Sequence, residues 1–152
     1  MNPIDASDTI VKEITIHAPA ERIFEALTNP EQRLRWWGEE GQYRGTHMES
    51  DLRPGGRWIT CGIGRGGKNF TVRGEYRTIE RPRLLVFTWL PDWEENAPET
   101  LVRFDLEEKD GVTMVRLTHS GLSTESSRDH HRGWPQVLAW LQAYAQNMGE
   151  QA

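Results

Sequence analysis

Residues 9–17 (TIVKEITIH) alternate, with Ile10, Ile14 and Ile16 on one parity and Glu13 and Thr15 on the other, so they read as a half-buried strand with Lys12 as an exception near its start. Ala18-Pro19 ends it. Pro19 suits the first position of a helix in which Ile23, Phe24 and Leu27 recur at helical spacing as far as Thr28. Asn29-Pro30 stops that helix, and 31–37 (EQRLRWW) reads as a second short one ending at Gly38. From Gln42 the helical period gives way to alternation, and strands are predicted over 43–50, 57–63, 69–79, 83–90, 100–108 and 112–119. Their turns fall at 53–56 (RPGG), 64–67, Arg81-Pro82, the loop 91–99 and Lys109-Asp110-Gly111, where the Asp-Gly step is the clearest hairpin signal.

The helical period returns at 133–148 (GWPQVLAWLQAYAQNM). Trp134, Val137, Leu138, Leu141, Ala145 and Met148 fall on one face, Gln136, Gln142, Ala143 and Gln146 on the other, and Trp140 and Tyr144 on the flank. Pro135 lacks the donor an internal turn needs, which predicts an earlier helical stretch within 123–131 and a break at Gly133-Trp134-Pro135. The order is strand, two helices, six strands and one long helix. It predicts an α+β domain in which an antiparallel sheet carries its helices on one face. If that sheet curves around the terminal helix, it leaves an interior pocket.

Composition narrows the function classes. A length of 152 residues suits one domain. Lys plus Arg number 18 against 23 Asp plus Glu, leaving a net charge of −5. That balance argues against nonspecific nucleic-acid binding and against an anionic membrane surface, which both call for basic patches. No apolar run approaches the roughly 18 residues that would span a bilayer, and residues 1–7 (MNPIDAS) lack a signal-peptide pattern, so a cytoplasmic protein without membrane insertion is expected. Cys61 stands alone, which excludes an intrachain disulfide and a zinc site built on paired cysteines, and it reads as a small buried or half-buried hydrophobe.

Taking alternate strand positions collects Phe70, Val72, Gly74 and Tyr76, then Leu85, Phe87 and Trp89, then Val102, Phe104 and Leu106, then Val115, Leu117 and His119. With Trp58, Trp134 and Leu138 these faces surround one apolar space, although filling a core is the default role of any single aromatic. Tyr76 and His119 are the polar groups expected to orient a ligand. His119 is also the candidate for acid–base work, against a default of a structural histidine bonded to a neighbouring carbonyl. His130 and His131 beside Asp129 point about 100° apart on a helix and lack metal-binding spacing, so they read as a solvated polar turn. The stretch 62–67 (GIGRGG) opens no helix and carries no Gly-Lys-Ser/Thr, so it reads as a hairpin turn at the pocket mouth, locally basic through Arg65 and Lys68. Ser120 and Ser123 have no nucleophile-elbow context. Trp93, in the acidic loop 91–99, suits either a partner anchor or a cover over the cavity.

Four stretches carry a resemblance: 18–29 (APAERIFEALTN) with Arg35-Trp36-Trp37, 51–58 (DLRPGGRW), 80–89 (ERPRLLVFTW), and 115–122 (VRLTHSGL) with 133–138 (GWPQVL). In that order and spacing the chain resembles the activator of heat-shock protein 90 ATPase homologue (AHSA-like) family of the START-like, or SRPBCC, superfamily. The resemblance implies a helix-grip fold: a curved antiparallel sheet of about six or seven strands around a long C-terminal helix, with two short helices after strand one. It also implies a single domain over 1–152 with an ordered core at 9–148. The chaperone activators of that family carry a further N-terminal domain for which this length leaves no room. The expected function is binding of a small hydrophobic or aromatic molecule, such as a lipid or polyketide, without metal or cofactor. Its expected ligand-binding residues are Trp37, Trp58, Phe70, Tyr76, Phe87, Trp89, Phe104, His119, Trp134 and Leu138. A co-chaperone-like regulator in the stress response, contacting a chaperone, is the alternative. A cyclase or lyase working through Tyr76 or His119 is the second.

Overall fold

The alternation at the start of the chain becomes strand β1 (Ile10–Ile16), whose last residue is fully buried. A computed structural model of the chain describes residues 9–39, 43–92, 98–123, 131 and 133–150. Helix α1 (Ala20–Thr28) starts from an extended Pro19 and buries Ile23, Phe24 and Leu27. Its first amide, Ala20 N–H, donates to Glu108 Oε1 at 2.6 Å, a carboxylate at the positive end of the helix dipole. Helix α2 (Pro30–Trp36) is capped by Asn29, whose Oδ1 accepts the Gln32 N–H at 3.1 Å, and Pro30 occupies a position where a missing donor costs nothing.

The chain then runs through β2 (Gly38–Glu39), β3 (Tyr43–Ser50), β4 (Arg57–Ile63), β5 (Asn69–Glu80), β6 (Leu84–Pro91), β7 (Thr100–Lys109) and β8 (Val112–Ser120). They form one antiparallel sheet in the order β1-β8-β7-β6-β5-β4-β3-β2. Apart from β1, which returns to pair with β8, this is a simple meander. The sequence leads one to expect six or seven strands, and the added one is β2, whose two residues pair with Arg44 and Tyr43 and are too few to alternate visibly. Helix α3 (Trp134–Glu150) lies in the grip of the sheet and buries Trp134, Val137, Leu138, Leu141 and Ala145 against it, a helix-grip fold. Pro135 sits in its first turn, where the Val137 N–H already reaches the Gly133 carbonyl at 3.1 Å. The helical stretch expected ahead of this break falls mainly on residues 124–130, outside the described residues.

Register explains the inner face. Phe104 pairs with Leu85 on one side and Leu117 on the other, and Val102 with Phe87 and His119. The curvature has an identifiable source between β5 and β6. A Cβ on Gly74 would stand 1.8 Å from the Thr88 carbonyl oxygen and 2.7 Å from Trp58 Nε1, so only glycine lets the strands bend this closely. Beside it the Glu75 N–H turns to the Thr88 hydroxyl at 2.8 Å, and the register shifts between Tyr76 and Thr78, as at a β-bulge.

Two substitutions test this packing. Trp134 is 3% exposed, so Trp134→Ala is expected to cost about 3–5 kcal/mol in urea unfolding, and a loss below about 1 kcal/mol would contradict the helix-on-sheet arrangement. Gly74→Ala is expected to lower the urea midpoint by more than any alanine replacement on the outer sheet face, such as Arg73→Ala.

Candidate functional site

Alternation on the sheet and the helical turn of α2 converge on one end of the fold. On α2, Arg33 precedes Trp36 by three positions and the C-cap residue Trp37 by four, and Arg33 and Trp36 are buried. Opposite them β3 to β5 present small residues, Gly45, Thr60 and Val72. Between these elements and the start of α3 lies a cavity of about 550 Å³. Its wall is mostly apolar: Leu34 from α2 and Trp37 at its C-cap, Tyr43 from β3, Phe70 and Val72 from β5, Trp89 from β6, and Trp134 and Val137 from α3. Gly64, Lys68, Asn69 and Asp92 give it a polar rim, and Gly133 and His131 complete it.

The aromatic wall is continuous. Trp37 stacks on Trp89 at 6.1 Å between centroids and meets Trp134 edge-on at 5.7 Å, while Trp89 and Trp134 stand 5.6 Å apart. A buried indole needs an acceptor for its N–H, and most of those here have one. Trp36 donates to the Ala26 carbonyl at 2.8 Å and Trp37 to the Tyr43 hydroxyl at 3.1 Å. Trp134 donates to His119 Nδ1 at 3.0 Å, and Trp89 to His131 Nε2 at 2.9 Å.

These bonds assign the state of His119. With Nδ1 accepting, the neutral ring carries its proton on Nε2 and donates it to Thr100 Oγ1 at 2.7 Å, which in turn donates to the Trp89 carbonyl at 3.2 Å. Burial, with the His131 ring 4.7 Å away, pushes His119 down to about 3. The expected bond to a neighbouring carbonyl is thus replaced by one relayed through a threonine. His119 lies behind the wall rather than on it.

The other predicted residues divide in two. Trp37, Phe70, Trp89 and Trp134 line the cavity. Trp58, Tyr76, Phe87, Phe104 and Leu138 do not: each is at most 2% exposed and packs in the core. Trp58 meets Phe87 at 5.4 Å, Phe87 meets Phe104 at 6.2 Å, and the Tyr76 hydroxyl is 2.6 Å from Ser50 Oγ. Trp58, Tyr76 and Phe87 share the parity of lining residues on their own strands, Thr60, Val72 and Trp89, but lie across the β5–β6 irregularity at Gly74 from them. His131 also departs from expectation, for it is 6% exposed and serves as a buried acceptor rather than part of a solvated turn. Asp129, His130 and Trp93 lie outside the described residues, as does the side chain of Arg65. Among the described residues no cluster of metal-ligating side chains occurs.

The residue that alternation did not single out is Arg33. It is 4% exposed, its guanidinium carbon lies 4.2 Å from the Trp37 ring centre and 5.1 Å from that of Trp58, and it lines the cavity. Burial pulls it down to about 10, so it remains a cation at neutral pH. Holding that charge out of water is a cost the fold carries. The signal for it was present in sequence: Arg33 stands at i−3 and i−4 from Trp36 and Trp37, on the face that a short helix had to bury.

A family model described as "Activator of Hsp90 ATPase homolog 1-like protein" matches residues 17–146. Among solved structures, a protein of Chromobacterium violaceum superposes with a TM-score of 0.82 at 20% identity, covering 91% of this chain and 97% of that one. A protein of Nitrosomonas europaea gives 0.81 at 19% identity over 97% and 99% of the two chains. An AHSA1-like protein of Aeromonas hydrophila gives 0.75 at 22% identity over 93% and 94%. At these identities the likeness is one of fold. Among curated proteins no relative matches. No described helix is long and apolar enough to cross a membrane.

The buried histidine makes stability depend on pH in a defined window. Unfolded His119 takes up a proton near pH 6.5 and the folded one only near pH 3, so its contribution is complete above about 6.5 and is lost as pH falls. Chemical denaturation is expected to show stability falling by up to about 1.4 kcal/mol per pH unit between roughly pH 6.5 and 4.5, before carboxylates dominate. In His119→Gln, whose amide still accepts from Trp134, that slope is expected to flatten.

Proposed function

The chain belongs to the family of Activator of Hsp90 ATPase homolog 1-like proteins, and from that premise we propose that it is a small-molecule-binding domain, acting in the cytoplasm, that holds a hydrophobic or aromatic ligand between sheet and C-terminal helix. The observation that carries this reading is the cavity of about 550 Å³ walled by Trp37, Trp89 and Trp134, a volume typical of small-molecule sites. Three indoles offer large flat apolar surfaces, and their N–H groups are already committed to Tyr43, His131 and His119. A ligand therefore meets ring faces and edges, which suits a planar or chain-like apolar body.

We read the site as noncatalytic. The acid–base reading rested on Tyr76 and His119, and both are spent elsewhere, Tyr76 on Ser50 and His119 on Trp134 and Thr100. The family's name supports a second reading, a partner that stimulates a heat-shock ATPase.

Titration of the nitrogen-15-labelled protein with a panel of lipids, flavonoids and aromatic polyketides separates these. Saturable shifts of the Trp37, Trp89 and Trp134 indole signals are expected with at least one class, while the Trp36 indole, bonded to Ala26, stays in place. Indoles unmoved throughout the panel, together with stimulation of the chaperone's ATPase by the purified domain, would turn the assignment to the second reading.

A further inference from the structure

Among the described residues only three buried side-chain polar atoms lack a hydrogen-bond partner: Arg33 Nε, Trp58 Nε1 and Thr60 Oγ1. They are not scattered. Arg33 and Thr60 both line the cavity, and Trp58 is one of the two rings on which the Arg33 guanidinium stacks. Arginine and tryptophan can only donate, and threonine can donate as well as accept. No carboxylate among the described residues pairs with Arg33, and the groups that act on it electrostatically are the phenols of Tyr43 and Tyr76. A buried charge without a counter-ion is among the more costly arrangements a fold can keep. Here it stands on the wall of a cavity that apolar side chains otherwise line.

From this geometry we infer that the cavity takes an organic acid, its anionic head meeting Arg33 and Thr60 and its apolar or aromatic body lying against Trp37, Trp89 and Trp134. The inference rests on the ligand-binding reading above and adds to it the charge of the ligand and the residue that selects it. Two features fit the polarity. Arg33 is already buried with its guanidinium carbon over the Trp37 and Trp58 rings, at 4.2 and 5.1 Å, so little side-chain freedom is lost when it pairs with a carboxylate or sulfonate. The acidic group on the rim, Asp92, is exposed and accepts the Thr71 N–H at 2.9 Å, so its charge is screened by water, and it is not among the groups that act on Arg33. The rim lysine, Lys68, is also exposed and is therefore a weak competitor for the role of counter-ion.

The test uses two fluorescent probes with the same aromatic body, 1-anilinonaphthalene-8-sulfonate and the neutral N-phenyl-1-naphthylamine, titrated into the natively folded protein. The sulfonate is expected to bind at least about tenfold more tightly, the scale of one charge-assisted hydrogen bond. Arg33→Met keeps the stem against Trp37 and is expected to abolish the preference while leaving the neutral probe's affinity within about twofold. Arg33→Lys is expected to retain part of the preference, and Lys68→Met nearly all of it. Dispersed indole signals establish that each variant is folded, and Arg33→Lys carries the test if Arg33→Met does not fold. Equal affinities for the two probes in the parent protein, or a preference that survives in Arg33→Met or moves with Lys68→Met, would overturn the assignment to Arg33 while leaving ligand binding intact. Binding of neither probe, with the cavity indoles unmoved, would overturn both.

Discussion

Two hydrogen bonds, running in opposite directions between sheet and helix, hold the rest of the structure in register. Trp134 at the start of α3 donates to His119 on β8, and Trp89 on β6 donates to His131 just ahead of α3. Large indoles contribute much apolar burial, but a buried N–H left without an acceptor costs about 1–3 kcal/mol. A neutral imidazole nitrogen meets that requirement without bringing a charge into the core. Because each bond links the sheet to the beginning of the helix or the residue before it, the two together fix where α3 enters. They also set the 5.6 Å spacing of Trp89 and Trp134, and with it the shape of the cavity wall that Trp37 completes.

The strands were legible because each has one face in the core and one in water, so alternation reports burial directly. On β7 and β8 the parity of Val102, Phe104 and Leu106 and of Val115, Leu117 and His119 matches the inner face residue for residue. Parity names a face but carries no depth along it. Phe87 and Trp89 are two positions apart on one strand and look alike in sequence, yet Phe87 sits in the core against Phe104 and Trp89 looks into the cavity. What separates them is the bend at Gly74, where the β5–β6 ladder gives way to a side-chain bond from Glu75 to Thr88. A glycine in a strand signals a bend or a close approach, but neither its partner nor the direction of the bend can be read from one strand alone.

The histidines and Arg33 were hard to place for a related reason. Adjacent histidines in a polar stretch give no periodic signal, and the role of His131 depends on Trp89, 42 positions earlier in the chain. Arg33 was masked by its type, since an arginine on a short helix that also carries Glu31 and Arg35 ordinarily points to solvent. Its long stem and planar head make burial against Trp37 and Trp58 sterically easy, and the cost of the position is the desolvation of a charge that no carboxylate offsets.

That cost gains meaning from where it falls. Phe87, Phe104 and Leu85 fill the core end of the inner face, whereas at the cavity end the small residues Gly45, Thr60 and Val72 stand among Tyr43, Phe70 and Trp89. The small residues are not forced on the chain everywhere. A Cβ on Gly45 would come close, at 2.8 Å, to the flexible end of Leu34 alone, its other neighbours lying at ordinary contact distance, and Thr60 and Val72 both border the cavity. A core selected for stability alone would fill such a space, since voids forfeit dispersion contacts and apolar burial. This fold gives up stability twice at the same end, once in cavity volume and once in the desolvated guanidinium of Arg33. Proteins that depart from the rules of core packing do so mainly where they act, and the coincidence of the two departures supports reading this end of the sheet as a binding site rather than as imperfect core.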